Sequence, residues 1–263
     1  MTQDRNKEFF RIGRVRISVT TENKAIENIL NSIRQGQKGY VCVSNLRTVV
    51  IANKEDAYQE VMEHSLMNTP DGTPLVWCGH WWGLKKVERA CGPHIFPRML
   101  KMKDARLRHF LLGDTEETLA ALTKKSTEEL GASIVGTYSP PFKPLEEYDI
   151  VGMAKMINDS GANIVWTALR SPKQDILNSM ITPYLNNGIV MVGVGAAFRS
   201  VLGVLKQPDG FLQKIGLAGI LFKRPEISWW KELKWYIEHI GHLMKYFFSI
   251  KWKHLQGKKY YEL

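Results

Sequence analysis

The chain has 263 residues, 44% of them hydrophobic and 24% charged, which is enough for one large domain or two small ones around a real core. No run of about 18 apolar residues occurs, and the charged N-terminus lacks the apolar segment of a signal peptide, so an integral or exported protein is not expected. The formal net charge of +10 points to an anionic partner, and three cysteines (Cys42, Cys78 and Cys91) without metal or redox spacing fit a reducing cytoplasm.

In chain order, the alternation of residues 14–21 predicts a strand, and Ile26, Ile29, Leu30 and Ile33 predict a helix over 22–34. A second strand is expected over 38–45 and a helix over 54–66. The loop MNTPDGTPLVW follows at 67–77, then a helix near 93–104. Residues 108–138 form the clearest unit. A strand ends in Gly113, Thr115 can cap a helix running to about Leu130, Gly131 stops it, and a strand follows at 133–137. The rhythm continues with helix 146–160, strand 163–169, helix 172–185, strand 188–194 and helix 196–205. Such alternation implies a Rossmann-like α/β fold, a mainly parallel sheet with helices on both faces. Ligands of such sheets lie beyond the carboxyl ends of the strands.

The pattern changes after residue 206, so residues 1–206 are expected to be the α/β core and 207–263 a helical C-terminal appendage. Residues 228–253 read as one helix with Trp229, Leu233, Tyr236, Ile237, Ile240, Leu243, Met244 and Phe247 on a single stripe. From Ile220 onward there are nine Lys or Arg against four Glu, together with half of the chain's tryptophans, a composition suited to an anionic membrane surface. A helix packed on the core is the alternative.

Several short motifs carry chemistry. Pro70-Asp71-Gly72 can be a simple turn, or a turn that aims a working carboxylate. Gly193, Gly195 and Ala196 in GVGAAF can cradle a phosphate or serve tight strand-to-helix packing. In SPKQD, Ser171 and Pro172 suit a helix start, and Lys173 and Gln174 fall on its first turn, at a strand's carboxyl end. Arg89 can be a solvated charge or a diphosphate clamp. The seven histidines show no ligand spacing, so no metal site is expected.

Together these stretches resemble the WecG/TagA/CpsF family of bacterial glycosyltransferases, family twenty-six. The resemblance rests on VSN ending at Asn45, PDG with PLVW, ERACGP at 88–93, FLLG at 110–113, SGANIVW at 160–166, SPKQD and GVGAAF, in order, over about residues 12–221. It implies a UDP-sugar donor, a polyprenyl-diphosphate-linked acceptor, inversion at the anomeric carbon, no cofactor or bound metal, and a peripheral position on the inner face of the cell membrane. It also implies that Asp71 is the general base, that Arg89 and Gln174 line its pocket, and that Asn45 lies beside it. The chain departs from the family at Val43 (usually Thr), His94 (usually Asp), Arg199 (usually Asp) and Gly216–Gly219, where GLAG replaces GLEW and Ala218 replaces a carboxylate.

In such an enzyme a carboxylate takes the acceptor's proton, and cations or amides stabilise the leaving diphosphate. Arg89, Lys173 and the amides of Gly193 to Ala196 are the candidates for the second task. Two other classes compete: an inactive structural subunit of a polysaccharide assembly complex, and a basic protein that binds RNA through its aromatic tail. No RNA-binding fingerprint occurs, so nucleic acid is not an expected partner. A homo-oligomer is compatible with the sequence.

Overall fold

A computed structural model describes residues 8–104, 106–205, 230, 234, 241, 244–252 and 255–257. Six strands form one parallel sheet: β3 (Gly39–Ser44), β4 (Met67–Pro70), β5 (His109–Gly113), β6 (Ile134–Tyr138), β7 (Ile164–Ala168) and β8 (Val190–Gly193). Their order across the sheet is β4-β3-β8-β7-β5-β6. The Rossmann-like α/β expectation therefore holds. Because every pair in this sheet is parallel, all six carboxyl ends open on one edge.

Period-two alternation divides the core between the two faces. Val41, Val43, Leu111, Trp166 and Val192 meet α1 (Glu22–Arg34), α5 (Gly92–Leu100), α6 (Glu116–Glu128) and α9 (Ala197–Val201). Tyr40, Cys42, Leu112, Val165 and Met191 meet α7 (Ile150–Asp159) and α8 (Lys173–Ile181). Local signals set most boundaries. The Thr21 hydroxyl caps α1, Thr115 caps α6, and Asp149 caps α7 four residues later than its expected start.

The first 70 residues differ most from expectation. The strand expected over 14–21 is a hairpin, β1 (Phe9–Ile12) and β2 (Val15–Ser18), turned at Gly13 with φ +61°. The helix expected over 54–66 is α3 (Asp56–His64), and a helix that was not expected, α2 (Leu46–Lys54), precedes it. The Asn45 side chain accepts from the Arg47 and Thr48 amides, and the Thr48 hydroxyl accepts from the Asn45 N–H, a complete capping box that starts α2 immediately after β3. Strand β4 then pairs with β3, and α4 (Thr73–Trp81) follows.

A third core cluster joins the hairpin, α2, α3 and α4 to the C-terminal segment. Residues 244–252 are helical. Phe247 and Ile250 are buried there with Phe10, Ile12, Leu46, Leu75 and Trp82. The Phe247 ring lies 4.3 Å from that of Trp81, and Tyr246 meets the hairpin turn at Gly13. The described part of the tail thus shares a core with the α/β unit instead of standing off from it. The boundary after residue 206 lies outside the described residues, as do six members of the expected stripe: Trp229, Leu233, Tyr236, Ile237, Ile240 and Leu243. The two described members separate, with Phe247 buried and Met244 exposed.

Candidate active site

Asp71 stands where β4 passes into α4. Its N–H donates to the Ser44 carbonyl at 2.7 Å, extending the ladder between β4 and β3 by one step. Gly72 then becomes the N-cap of α4, with Pro74 in the first turn. The side chain of Asp71 is 26% exposed at the open edge of the sheet. Arg89 holds this junction. Its Nε–H donates to the Asp71 carbonyl at 2.6 Å, and its Nη2 lies 3.4 Å from Oδ1. The second distance is an ion pair and not a strong hydrogen bond. Burial pushes the Asp71 carboxyl above its ordinary range, and Arg89 and His94 pull against that rise.

The remaining groups connect along the same edge. Gly72 lies against Asn45, since a Cβ placed on it would come 3.8 Å from the Asn45 Cβ. Asn45 therefore borders the Asp71 loop while its Oδ1 caps α2. Ala90 N–H donates to the Pro70 carbonyl, which brings the start of α5 to Asp71. Gly92 packs against the β8–α9 loop so closely that a Cβ would meet the Val194 carbonyl oxygen at 2.7 Å. Beyond it Gln174, only 2% exposed, accepts from the Gly195 N–H at 3.1 Å and donates to Ser171 Oγ at 3.0 Å. Asp71, Arg89, Asn45, Gly195 and Gln174 thus line one rim, at the carboxyl ends of β3, β4, β7 and β8.

A family model described as the glycosyl transferase WecG/TagA/CpsF family matches residues 10–233. The chain belongs to that family. The match begins two residues before the resemblance read from motifs and runs about a dozen residues further into the tail. The family match therefore spans the hairpin, the sheet and the start of the tail.

Two of the motif-derived site readings, the Gly193–Ala196 amides and Lys173, meet other partners in the structure. Three amides of the GVGAAF stretch are engaged within the protein. Val194 N–H donates to the Thr167 carbonyl, Gly195 N–H to Gln174 and Ala197 N–H to the Val194 carbonyl. Gly193 is needed because a Cβ would come 2.8 Å from Gln174 Nε2 and 2.9 Å from Asp175 Oδ1, and Gly195 because its φ is +56°. These contacts correspond to tight strand-to-helix packing, with the Ala196 position serving as N-cap of the short α9. Lys173, in turn, is engaged with the segment that follows β6. Its Nζ donates to the Lys143 carbonyl at 2.7 Å and sits 4.8 Å from the Tyr148 ring and 5.8 Å from that of Phe142.

Two of the departures from the family, His94 and Arg199, are paired with carboxylates that no motif marked. His94 Nδ1 lies 3.1 Å from Glu22 Oε2, and Arg98 binds the other oxygen of Glu22. Arg199 makes a two-pronged pair with Asp114, both contacts at 3.0 Å. Asp114 itself has φ +60° and follows Gly113 at the end of β5. Burial works to raise the Asp114 carboxyl, but Arg199 and the Thr115 amide outweigh it and hold it below its ordinary range. Among the described residues no group of three or more His, Cys, Asp or Glu side chains is arranged to hold a metal ion.

Proposed function

We propose that the protein is an inverting glycosyltransferase that moves a sugar from a UDP-sugar to a polyprenyl-diphosphate-linked acceptor in bacterial surface polysaccharide synthesis. The observation that carries this reading is the Asp71–Arg89 pair at the open edge of the sheet, in a chain of a glycosyl transferase family. The acceptor hydroxyl oxygen attacks the anomeric carbon from the face opposite the diphosphate. The carbon–oxygen bond to UDP breaks, its electron pair leaves on the diphosphate, and the hydroxyl proton passes to Asp71. Burial makes the Asp71 carboxylate a stronger base than a solvated one, while Arg89 pulls against that rise. Arg89 is also the cation nearest to Asp71 on this rim and the candidate to meet the leaving charge.

The tail supports work at a membrane surface. Met244, Phe248, Trp252 and Leu255 are exposed and recur at helical spacing, opposite the buried Phe247 and Ile250. Lys245 and Lys251 are exposed on the same turns, and Trp77 and Trp81 of α4 add two partly exposed indoles. Among the described residues no helix is long and apolar enough to cross a membrane. We place the enzyme on the cytoplasmic leaflet, resting on this aromatic face, where a lipid-linked acceptor is found.

Calorimetric titration with UDP and UDP-sugars, followed by transfer to a synthetic polyprenyl-diphosphate-sugar, tests the reading. Binding of UDP and release of UDP on transfer are expected. Failure to bind any uridine nucleotide together with absence of transfer would remove it.

A further inference from the structure

A carboxyl group lies buried directly behind the rim. Asp175, on the first turn of α8, is 1% exposed. A buried carboxyl is costly, and an apolar residue would extend the inner face of α8 that Leu177 and Ile181 already form. The Tyr58 hydroxyl, from α3, donates to Asp175 Oδ2 at 2.7 Å. No hydrogen bond of good geometry reaches Oδ1, although the group neighbours Ser171, Gln174 and the Cys42 thiol. The other titratable groups facing it are Tyr58 and, from β3, Cys42 and Tyr40. Burial pushes the carboxyl up to about 6, and the protonated form has an O–H to donate where a carboxylate can only accept.

These contacts lead outward to the rim. The Gly195 N–H can only donate, so Gln174 must turn Oε1 toward it and leave Nε2 for Ser171. Ser171 is shared, since it borders Asp175 as well as holding Gln174. The Gln174 and Asp175 side chains close over Gly193, where only a hydrogen fits. The chain of contacts runs from Tyr58 through Asp175, Ser171 and Gln174 to the Gly195 peptide.

We propose that Asp175 and Tyr58 are a buried positioning pair that fixes the orientation of Gln174 and, through it, the Gly195 peptide at the active-site rim. The catalytic consequence rests on the glycosyltransferase reading; the placement itself is a property of the free protein. Tyr58→Phe fills the same space without the hydroxyl, and Asp175→Asn keeps the shape without the acid. Amide hydrogen exchange in the full-length protein reads the Gly195 N–H directly, with the Val192 N–H in β8 as the internal reference. Both variants are expected to speed exchange at Gly195 by about tenfold or more and to leave Val192 unchanged. A residue that only fills the core would move both sites or neither. Unchanged exchange at Gly195 in both variants, or equal acceleration at Val192, overturns the proposal.

A second measurement separates this from the reaction. With UDP as the probe, Tyr58→Phe should weaken binding by about tenfold. In a Gln174→Ala background the same change should have no further effect, because the pair acts through Gln174. If the wild-type protein binds no UDP, the glycosyltransferase reading fails while the exchange result still decides the positioning pair. If UDP binds and the two substitutions are simply additive, Asp175 and Tyr58 do not work through Gln174 and the proposal is overturned.

Discussion

Phe247 and Phe248 are neighbours in sequence and opposites in environment, which makes them a matched test of the tail. Phe247 is 4% exposed and Phe248 is 64% exposed. Phe247 packs against Trp81 with the rings tilted and shares a core with Phe10, Leu75 and Trp82. Truncating a buried Phe to Ala costs about 3–5 kcal/mol through lost transfer energy and the cavity left behind. In a chain of this size each kcal/mol is worth roughly 2–4 °C of Tm, so Phe247→Ala should melt about 6–20 °C lower. Phe248→Ala removes exposed surface and should stay within about 0.5 kcal/mol of wild type. On anionic vesicles the ranking reverses. A Phe ring buried in the interface contributes about 1.5–3 kcal/mol, so Phe248→Ala should weaken vesicle binding by roughly tenfold or more. Scanning calorimetry and co-sedimentation with phosphatidylglycerol vesicles give both numbers. If Phe247→Ala melts within 2–4 °C of wild type, about the effect of a 1 kcal/mol change, the tail does not share the core and the packing argument fails.

The remaining predictions concern the rim and the buried acid. Asp71→Asn keeps the strand–helix junction but cannot take a proton, so turnover should fall by about 10²–10⁴ while UDP affinity and Tm hold; near-normal turnover would leave Asp71 a junction residue only. Arg89→Ala should weaken UDP binding and turnover together, and an unchanged UDP affinity would remove Arg89 from the diphosphate. Asp175→Asn has a pH signature. Its carboxyl rises from 3.8 to about 6, so between those values the folded protein keeps a proton that the unfolded chain releases, and wild-type stability is lost as pH rises. His109, buried and lowered to about 4, gains stability over nearly the same interval and masks the effect in wild type. The difference between Asp175→Asn and wild type is free of that masking. It should grow in favour of the variant by about 2 kcal/mol between pH 4 and pH 6 in urea titrations, most of the roughly 3 kcal/mol that the full shift is worth. A difference that does not change over this interval would mean that Asp175 ionises as a solvated carboxyl does.

The part of the fold that could be read from sequence is the part with strong local punctuation. In β5–α6–β6 a glycine, a Thr cap and a second glycine bound the helix, and the structure keeps all three. Helix α2 was not legible because Thr48, Val49, Val50 and Ile51 are β-branched and favour strand; the Asn45 capping box and burial against the hairpin decide otherwise. Strand β4 has four residues and ends in Pro, and only its pairing with β3 makes it a strand. The rim followed the same logic. Asp71 and Arg89 sit in recognisable stretches 18 positions apart. Tyr58 and Asp175 are separated by 117 positions, and Tyr58 reads as an ordinary member of an apolar helix face. Asn45 was found for its motif, yet its side-chain oxygen is engaged in starting a helix.

The two departures from the family that add charge at the rim each bring a carboxylate with them. His94 lies beside Glu22, and Arg199 binds Asp114 with both prongs. Read alone, these substitutions make the presumed pocket more positive. Read with their partners, they leave local charge nearly balanced and change which atoms hold the rim in place. The Arg199–Asp114 pair ties α9 to the end of β5, and Ser139 donates to the Asp114 carbonyl, so the loop after β6 joins the same tie. Removing Arg199 alone would strand a carboxylate that is only 8% exposed, a cost that an Asp at position 199 could not relieve. Position 199 therefore cannot revert to the family's usual residue without a change at Asp114. The two positions form one unit, which braces the β5–β6 side of the edge while Asp71 and Arg89 occupy the β3–β4 side.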